Sequence, residues 1–216
     1  ARGHSVVVMT FYPGGPLEAD MADHRIELVS LGKTGRWDMF PFLIRLVRTL
    51  RAMRPGALYT FQNVSNILGS LVKPLMRGTR LVWGVRSSSM TRGQYGWLPG
   101  LVNIVEAKFV NQADGIVANS RAGRDWVTDR GFPVDRTWVI ENGLDASRFR
   151  RDEAERGRWR KVWGDPTACW VGLVARHDQM KDHAGFFAAA AQVAARDPRV
   201  RFVCVGDESA ALTPMT

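Results

Sequence analysis

The chain has 216 residues, 45% of them apolar and 24% charged, enough to bury a sizeable core and unlike a disordered tail, a collagen or a disulfide-stapled module. The length fits one large domain or two modest ones, and no run of about 18 apolar residues exists to span a bilayer. The formal charge of +9 is local: ten of the 30 Lys and Arg residues, against one acid (Asp38), fall between Arg36 and Arg92, so that stretch alone carries +9.

Taken in order, apolar runs bounded by turn residues alternate with amphipathic stretches. The first, Ser5–Phe11, opens too soon after the polar Ala1-Arg2-Gly3-His4 for a signal peptide. Further strands are expected at Arg25–Leu31, Ala57–Phe61, Arg80–Val85, Gly115–Asn119, Trp138–Glu141, Ala168–Val174 and Arg201–Gly206. Helices are expected at Asp38–Arg54, Val64–Met76, Leu101–Gln112, Ser120–Arg130 and Asp182–Ala195, the last stopped by Asp197-Pro198. Short strands alternating with helices predict an α/β fold with a doubly wound parallel sheet. The charged stretch from Phe149 to Gly164 reads as a connector, so the chain parses into 1–145 and a short second unit, 146–216, that looks truncated. Cys169 and Cys204 sit inside apolar runs and read as buried thiols of a reducing, cytoplasmic compartment.

Within Asp38–Arg54, Met39, Leu43, Leu46, Leu50 and Met53 fall on one stripe and Arg45, Arg48, Arg51 and Arg54 on the other side. Such a helix packs on a sheet with its arginines in water, or lies on an anionic membrane, in which case Leu43, Leu46 and Leu50 carry the lipid contact.

Ligands of open α/β sheets bind at the carboxyl ends of strands, where helix N-termini favour anions. No G-x-G-x-x-G or Walker pattern occurs, which removes support for dehydrogenase and P-loop readings. After the strand ending at Val174, Arg176-His177-Asp178-Gln179-Met180-Lys181 leads into the next helix. Arg176 and Lys181 across that loop could grip a diphosphate, or pair with Asp178 and Asp182 on an ordinary surface. His177, His183, Asp178 and Asp182 match no common zinc spacing, so no metal is expected. Asn142-Gly143 reads as a turn or an interdomain hinge, Gly206-Asp207 as a strand-to-helix turn or a close approach to ligand. Arg86-Ser87-Ser88-Ser89, at another strand end, reads as turn chemistry or a polar cluster facing a cleft.

Together these segments resemble a family-4 retaining glycosyltransferase of the GT-B fold. The motifs are Ile140-Glu141-Asn142-Gly143-Leu144-Asp145 with Phe149, Val171-Gly172-Leu173-Val174-Ala175-Arg176 with Lys181-Asp182-His183, Val203-Cys204-Val205-Gly206-Asp207, and upstream Ala113-Asp114-Gly115-Ile116-Val117-Ala118-Asn119-Ser120. The match is collinear over nearly the whole chain. It implies two Rossmann-like domains, the acceptor-side one lacking its first strand and helix, the donor-side one incomplete.

The implied activity is transfer of a sugar from a nucleotide-diphosphate sugar to a lipid-linked or polysaccharide acceptor at the inner membrane face. It needs no cofactor beyond that donor and no metal, because Arg176 and Lys181 match the family's basic pair on the diphosphate. Asn142, Gly143, Gly206 and Asp207 fall on the donor side, and Arg86, Ser87 and Ser120 on the acceptor side. Arg86 stands where many relatives carry a histidine, and an arginine is no general base at neutral pH. The alternatives are a nucleotide-sugar epimerase of the same fold and a basic polyanion-binding domain, though no nucleic-acid-binding signature accompanies the charge.

Overall fold

The computed structural model describes residues 3–35, 37–86 and 98–206. The chain divides into two compact units, Ala1–Gly143 and Leu144–Thr216, two residues before the division expected from sequence.

In the first unit the elements run β1 (Val7–Thr10), α1 (Glu18–Asp23), β2 (Glu27–Ser30), α2 (Met39–Met53), β3 (Ala57–Phe61), α3 (Asn63–Val72), β4 (Arg80–Val85), α4 (Leu98–Phe109), β5 (Gly115–Ala118), α5 (Arg121–Thr128) and β6 (Thr137–Val139). β1 pairs with β2, and β3-β4-β5-β6 form a second sheet; every pairing is parallel. The register aligns Leu81 with Leu58, Trp83 with Ile116, and Val85 with Ala118. Alternation then sends Leu81, Trp83, Val85, Ile116 and Ala118 to one face, where Val110, Ala113, Val127 and Phe132 bury them. The other face presents Tyr59 and Phe61, with ring centroids 4.4 Å apart, and Trp138, whose ring lies over Gly115 and leaves no room there for a Cβ.

A second core forms around α2, where Phe42, Leu46 and Leu50 are buried with Leu31, Leu68, Val72 and Met76. The stripe is therefore rotated from the expected one. Phe42 takes the central position, its ring edge-on to Phe11 at 5.0 Å, while Met39 stays exposed. Leu46 and Leu50 belong to the protein interior and cannot carry a lipid contact. The helix closes at Arg54, which takes φ 46° and donates its N–H to the Leu50 carbonyl at 2.9 Å before Pro55 ends the run. Because Phe42 is fully buried, Phe42→Ala is expected to lower unfolding free energy by about 3–5 kcal/mol, checked by urea denaturation.

The second unit holds α6 (Glu153–Val162), β7 (Cys169–Val174), α7 (His183–Arg196) and β8 (Val200–Val205), with β7 and β8 parallel in full register. The charged connector contains a helix that apolar periodicity does not reveal, since none of its residues is buried. Its signals are polar. Asp152 caps it by accepting from Ala154 and Glu155 N–H groups, Glu153 and Glu155 occupy its first turn, and Arg160 and Lys161 its last. Ring contacts from Trp163 to Trp159 (5.9 Å) and to Trp170 of β7 (4.9 Å) fasten it. Neither cysteine is buried as expected: Cys169 is exposed and Cys204 half-buried, because among the described residues the two-stranded β7–β8 sheet is only partly covered.

Candidate functional site

Two groups of side chains gather at strand carboxyl ends, one in each unit. In the first unit, Arg86 follows β4. Its guanidinium lies 4.8 Å from the Phe61 ring centroid at the end of β3 and donates to Asn142 Oδ1 beyond β6. Asn142 thus serves, within this unit, as the far end of a bridge across the sheet edge. Gly143 has open space around it and an ordinary φ, so nothing steric demands glycine there. Ser120 is the N-cap of α5, its hydroxyl accepting from the Gly123 N–H at 3.0 Å. Ser87 lies outside the described residues. A double-mutant cycle on Arg86→Ala and Asn142→Ala is expected to give a coupling energy of about 1 kcal/mol in unfolding free energy.

Behind that edge lies a polar network that the sequence reading did not find. Glu106 of α4 is buried and accepts hydrogen bonds from Asn63 Nδ2 (2.6 Å) and Asn66 Nδ2 (2.9 Å) of α3. Asn63 also donates to Asn103 Oδ1 at 3.0 Å, and Thr60 donates to Asn66 Oδ1 at 2.7 Å. Burial pushes the Glu106 carboxyl above its ordinary range against the pull of its two asparagines and the Arg130 charge. The network holds the start of α3, directly after Gln62, whose backbone sits at φ 71°, ψ 163°, a region that disfavours side chains. The available signal was Asn63/Asn66 and Asn103/Glu106, each pair three apart and hence on one helix face.

The sequence motif Ala113-Asp114-Gly115 has a structural explanation. Asp114 accepts from the Leu81 N–H at 2.7 Å and pairs with Lys73, joining β4, β5 and the turn after α3. Partial burial raises its carboxyl pKa, but the Lys73 and Leu81 hydrogen bonds and the charges of Lys73 and Arg80 hold it below its usual value.

In the second unit the loop from β7 to α7 carries the other group. Ala175 still bonds to the Val205 carbonyl at 2.9 Å, so Arg176 is the first residue past the sheet. Its side chain is 70% exposed and pairs with Asp178 at 3.0 Å. Asp178 in turn accepts from the Met180 N–H, and its carbonyl receives the Lys181 N–H at 2.9 Å, closing a turn over Gln179–Lys181. The Lys181 side chain is exposed and forms no ion pair among the described residues. Asp182 caps α7 at φ 47°, accepting from the Gly185 N–H. His183 is buried against the His177 ring, 5.1 Å away between centroids, and its Nδ1 has no hydrogen-bond partner among the described residues. Both readings of the pair thus meet here: Arg176 has an acidic partner, while Lys181 beside a helix N-terminus has none among the described residues.

Gly206 has a clear steric role. A Cβ there would collide with the Ala175 carbonyl of the adjacent strand, so glycine allows the end of β8 to run against Ala175-Arg176. The close approach is to backbone. Asp207 lies outside the described residues. Among the described residues no group of three or more His, Cys, Asp or Glu side chains is arranged to hold a metal, and no helix is long and apolar enough to cross a membrane.

A family model described as glycosyltransferase family 4 matches residues 1–148. The chain belongs to this family. No curated protein sequence matches it. Among solved structures, Anabaena HepE in complex with UDP and glucose aligns with a TM-score of 0.77 at 21% identity, covering 93% of this chain and 53% of HepE. A glycosyltransferase from Rickettsia africae aligns at 0.57 with 11% identity, over 95% of this chain and 61% of its own. UDP-GlcNAc 2-epimerase from Neisseria meningitidis, bound to UDP-GlcNAc, aligns at 0.59 with 12% identity, over 95% and 59%. At these identities the likeness is one of fold, the GT-B arrangement of parallel α/β units, and this family-4 chain spans about half to three-fifths of those proteins.

Proposed function

We propose that this chain is part of a retaining glycosyltransferase that moves a sugar from a nucleotide-diphosphate sugar, with UDP as the favoured nucleotide, to a lipid-linked or polysaccharide acceptor. The observation that carries the reading is the β7–α7 loop: Arg176 and Lys181 flank one short turn, Lys181 without an acidic partner among the described residues, at the N-terminus of a 14-residue helix. UDP is favoured because HepE of the same fold binds it.

The chemistry follows from charge. As the bond between C1 of the sugar and the diphosphate oxygen breaks, negative charge grows on the diphosphate and positive charge on the ring. Two fixed cations beside the departing oxygens stabilise that state more than the ground state. The acceptor oxygen bonds to C1 on the face the diphosphate leaves, and its proton passes to a diphosphate oxygen. Arg176 and Lys181 supply the charge a metal gives other transferases, so no cofactor is required. Gly206 keeps the Arg176 backbone against β8, and Asp207 is assigned with it to donor binding. Arg86, Ser87 and Ser120 belong to the acceptor side, where Arg86 neutralises an acceptor phosphate, and Asn142-Gly143 leads from one unit to the other. The protein works in the cytoplasm, on the inner membrane face.

The test is calorimetric binding of a panel of nucleoside diphosphates to the protein, to Arg176→Ala and to Lys181→Ala. UDP is expected to bind the wild type and to bind each variant at least tenfold more weakly; absence of binding to every member of the panel overturns the proposal. The epimerase likeness favours one further arm, incubation with UDP-GlcNAc and no acceptor, in which an epimerised sugar nucleotide would move the assignment to that class.

A further inference from the structure

The outer face of α2 carries a second feature that the donor chemistry leaves unused. With Phe42, Leu46 and Leu50 committed to the core, helical spacing turns Phe40, Ile44, Arg48 and Arg51 outward. Phe40 is 73% exposed and Ile44 38%, and Trp37, just before the helix, is 92% exposed. The outward face is thus divided along its length, apolar rings and a branched aliphatic at the N-terminal end, cations at the other. Arg48, Arg51 and Arg54 are exposed and none pairs with a carboxylate among the described residues. Arg45, expected from sequence to join them, is turned inward. It donates to the Leu31 carbonyl at 2.7 Å and to Asp38 at 3.0 Å, and Asp38 also holds Lys33 and the Thr34 N–H.

We infer that Trp37, Phe40 and Ile44, together with Arg48, Arg51 and Arg54, form a docking surface for an anionic lipid bilayer. Indole and phenyl rings suit the boundary between headgroups and acyl chains, and unpaired arginines one to three turns along the same helix reach lipid phosphates. Complementary charge selects the partner: Asp38, at the start of the helix, is occupied by Lys33 and Arg45, while Arg48, Arg51 and Arg54 form no ion pair among the described residues. The inference deepens the membrane-face part of the proposed function and rests on it, but uses other residues than the nucleotide does. It also replaces Leu43, Leu46 and Leu50 as the apolar contacts.

The test is co-sedimentation of the protein with vesicles of phosphatidylcholine alone or mixed with phosphatidylglycerol, at low and high salt. Wild type is expected on the mixed vesicles, more weakly at high salt. The triple variant Trp37→Ser, Phe40→Ser, Ile44→Ser is expected to bind about tenfold or more weakly at either salt. Arg48→Ala with Arg51→Ala loses about fivefold per arginine at low salt and little at high salt. All these positions are exposed, so thermal unfolding should match wild type. If the triple variant fails to fold, the arginine pair decides alone.

Wild type ignoring the mixed vesicles, or both variants binding like wild type, overturns the inference. So does a triple variant that keeps its vesicle binding but loses self-association on gel filtration, which would give this face to a second copy of the chain. UDP binding measured on the same samples separates the two proposals: retained UDP binding without vesicle binding sinks only this one, and the reverse sinks only the donor reading.

Discussion

Replacing either Arg176 or Lys181 by alanine is expected to lower kcat/KM for sugar transfer by about 10²–10³-fold, the usual effect of removing one preorganised donor from a site of developing negative charge. Thermal unfolding should barely move, because both side chains are exposed and Arg176 contributes only a surface ion pair with Asp178. Conservative variants divide the roles. Arg176→Lys keeps the charge but loses the planar fork, and Lys181→Arg keeps the charge in a bulkier form. If electrostatic stabilisation of the leaving group dominates, both recover part of kcat, whereas the alanine variants do not. A fall in activity matched by an equal loss of unfolding free energy would instead make the loop a structural turn.

Glu106→Ala is expected to destabilise the first unit by about 3 kcal/mol, since it leaves the Asn63 and Asn66 amides without their buried acceptor. Glu106→Gln keeps the shape but sets an amide N–H against another, and should cost less. The pH dependence has a definite sign. Burial raises the folded-state pKa above the ordinary 4.5, so the folded protein holds this proton more tightly than the unfolded chain does. The associated stability is complete below about 4.5 and is lost as pH rises through the folded-state value. Glu106→Gln does not titrate, so its deficit relative to wild type should narrow over that window. Urea denaturation across the window checks it; a constant gap would mean that Glu106 does not titrate there. The same variants should loosen the strained Gln62 backbone and the Phe61–Arg86 contact beside it, which would appear as faster hydrogen exchange at the start of α3.

Among the described residues, all eight strands lie within the stretches expected from sequence, or one residue outside them, because runs such as Leu81–Val85 and Val171–Val174 announce parallel strands by composition alone, the second although Val171 and Val174 are exposed. Helices with an apolar stripe were equally legible. The ones that escaped, Glu18–Asp23 and Glu153–Val162, bury nothing, so hydrophobic periodicity carries no trace of them; Glu153–Val162 could have been found from its caps and end charges. The phase of a stripe was less legible than its existence. Met39 and Phe42 both sit at helical spacing from Leu46 and Leu50, and contact with Phe11, just after β1, selects Phe42.

The sequence by itself determined the alternation of strands and helices, the break before the second unit, and the two basic residues on one short loop, since each depends on neighbours a few positions away. Tertiary structure decided the rest. Arg86 finds Asn142 56 residues on, Asn63 finds Glu106 43 residues on, and Gly206 is glycine because of the backbone at Ala175. The spacing within each segment does not say which distant residue it meets. Such pairings arise only when parallel strands come into register and bring separate loops, or the helices α3 and α4, side by side.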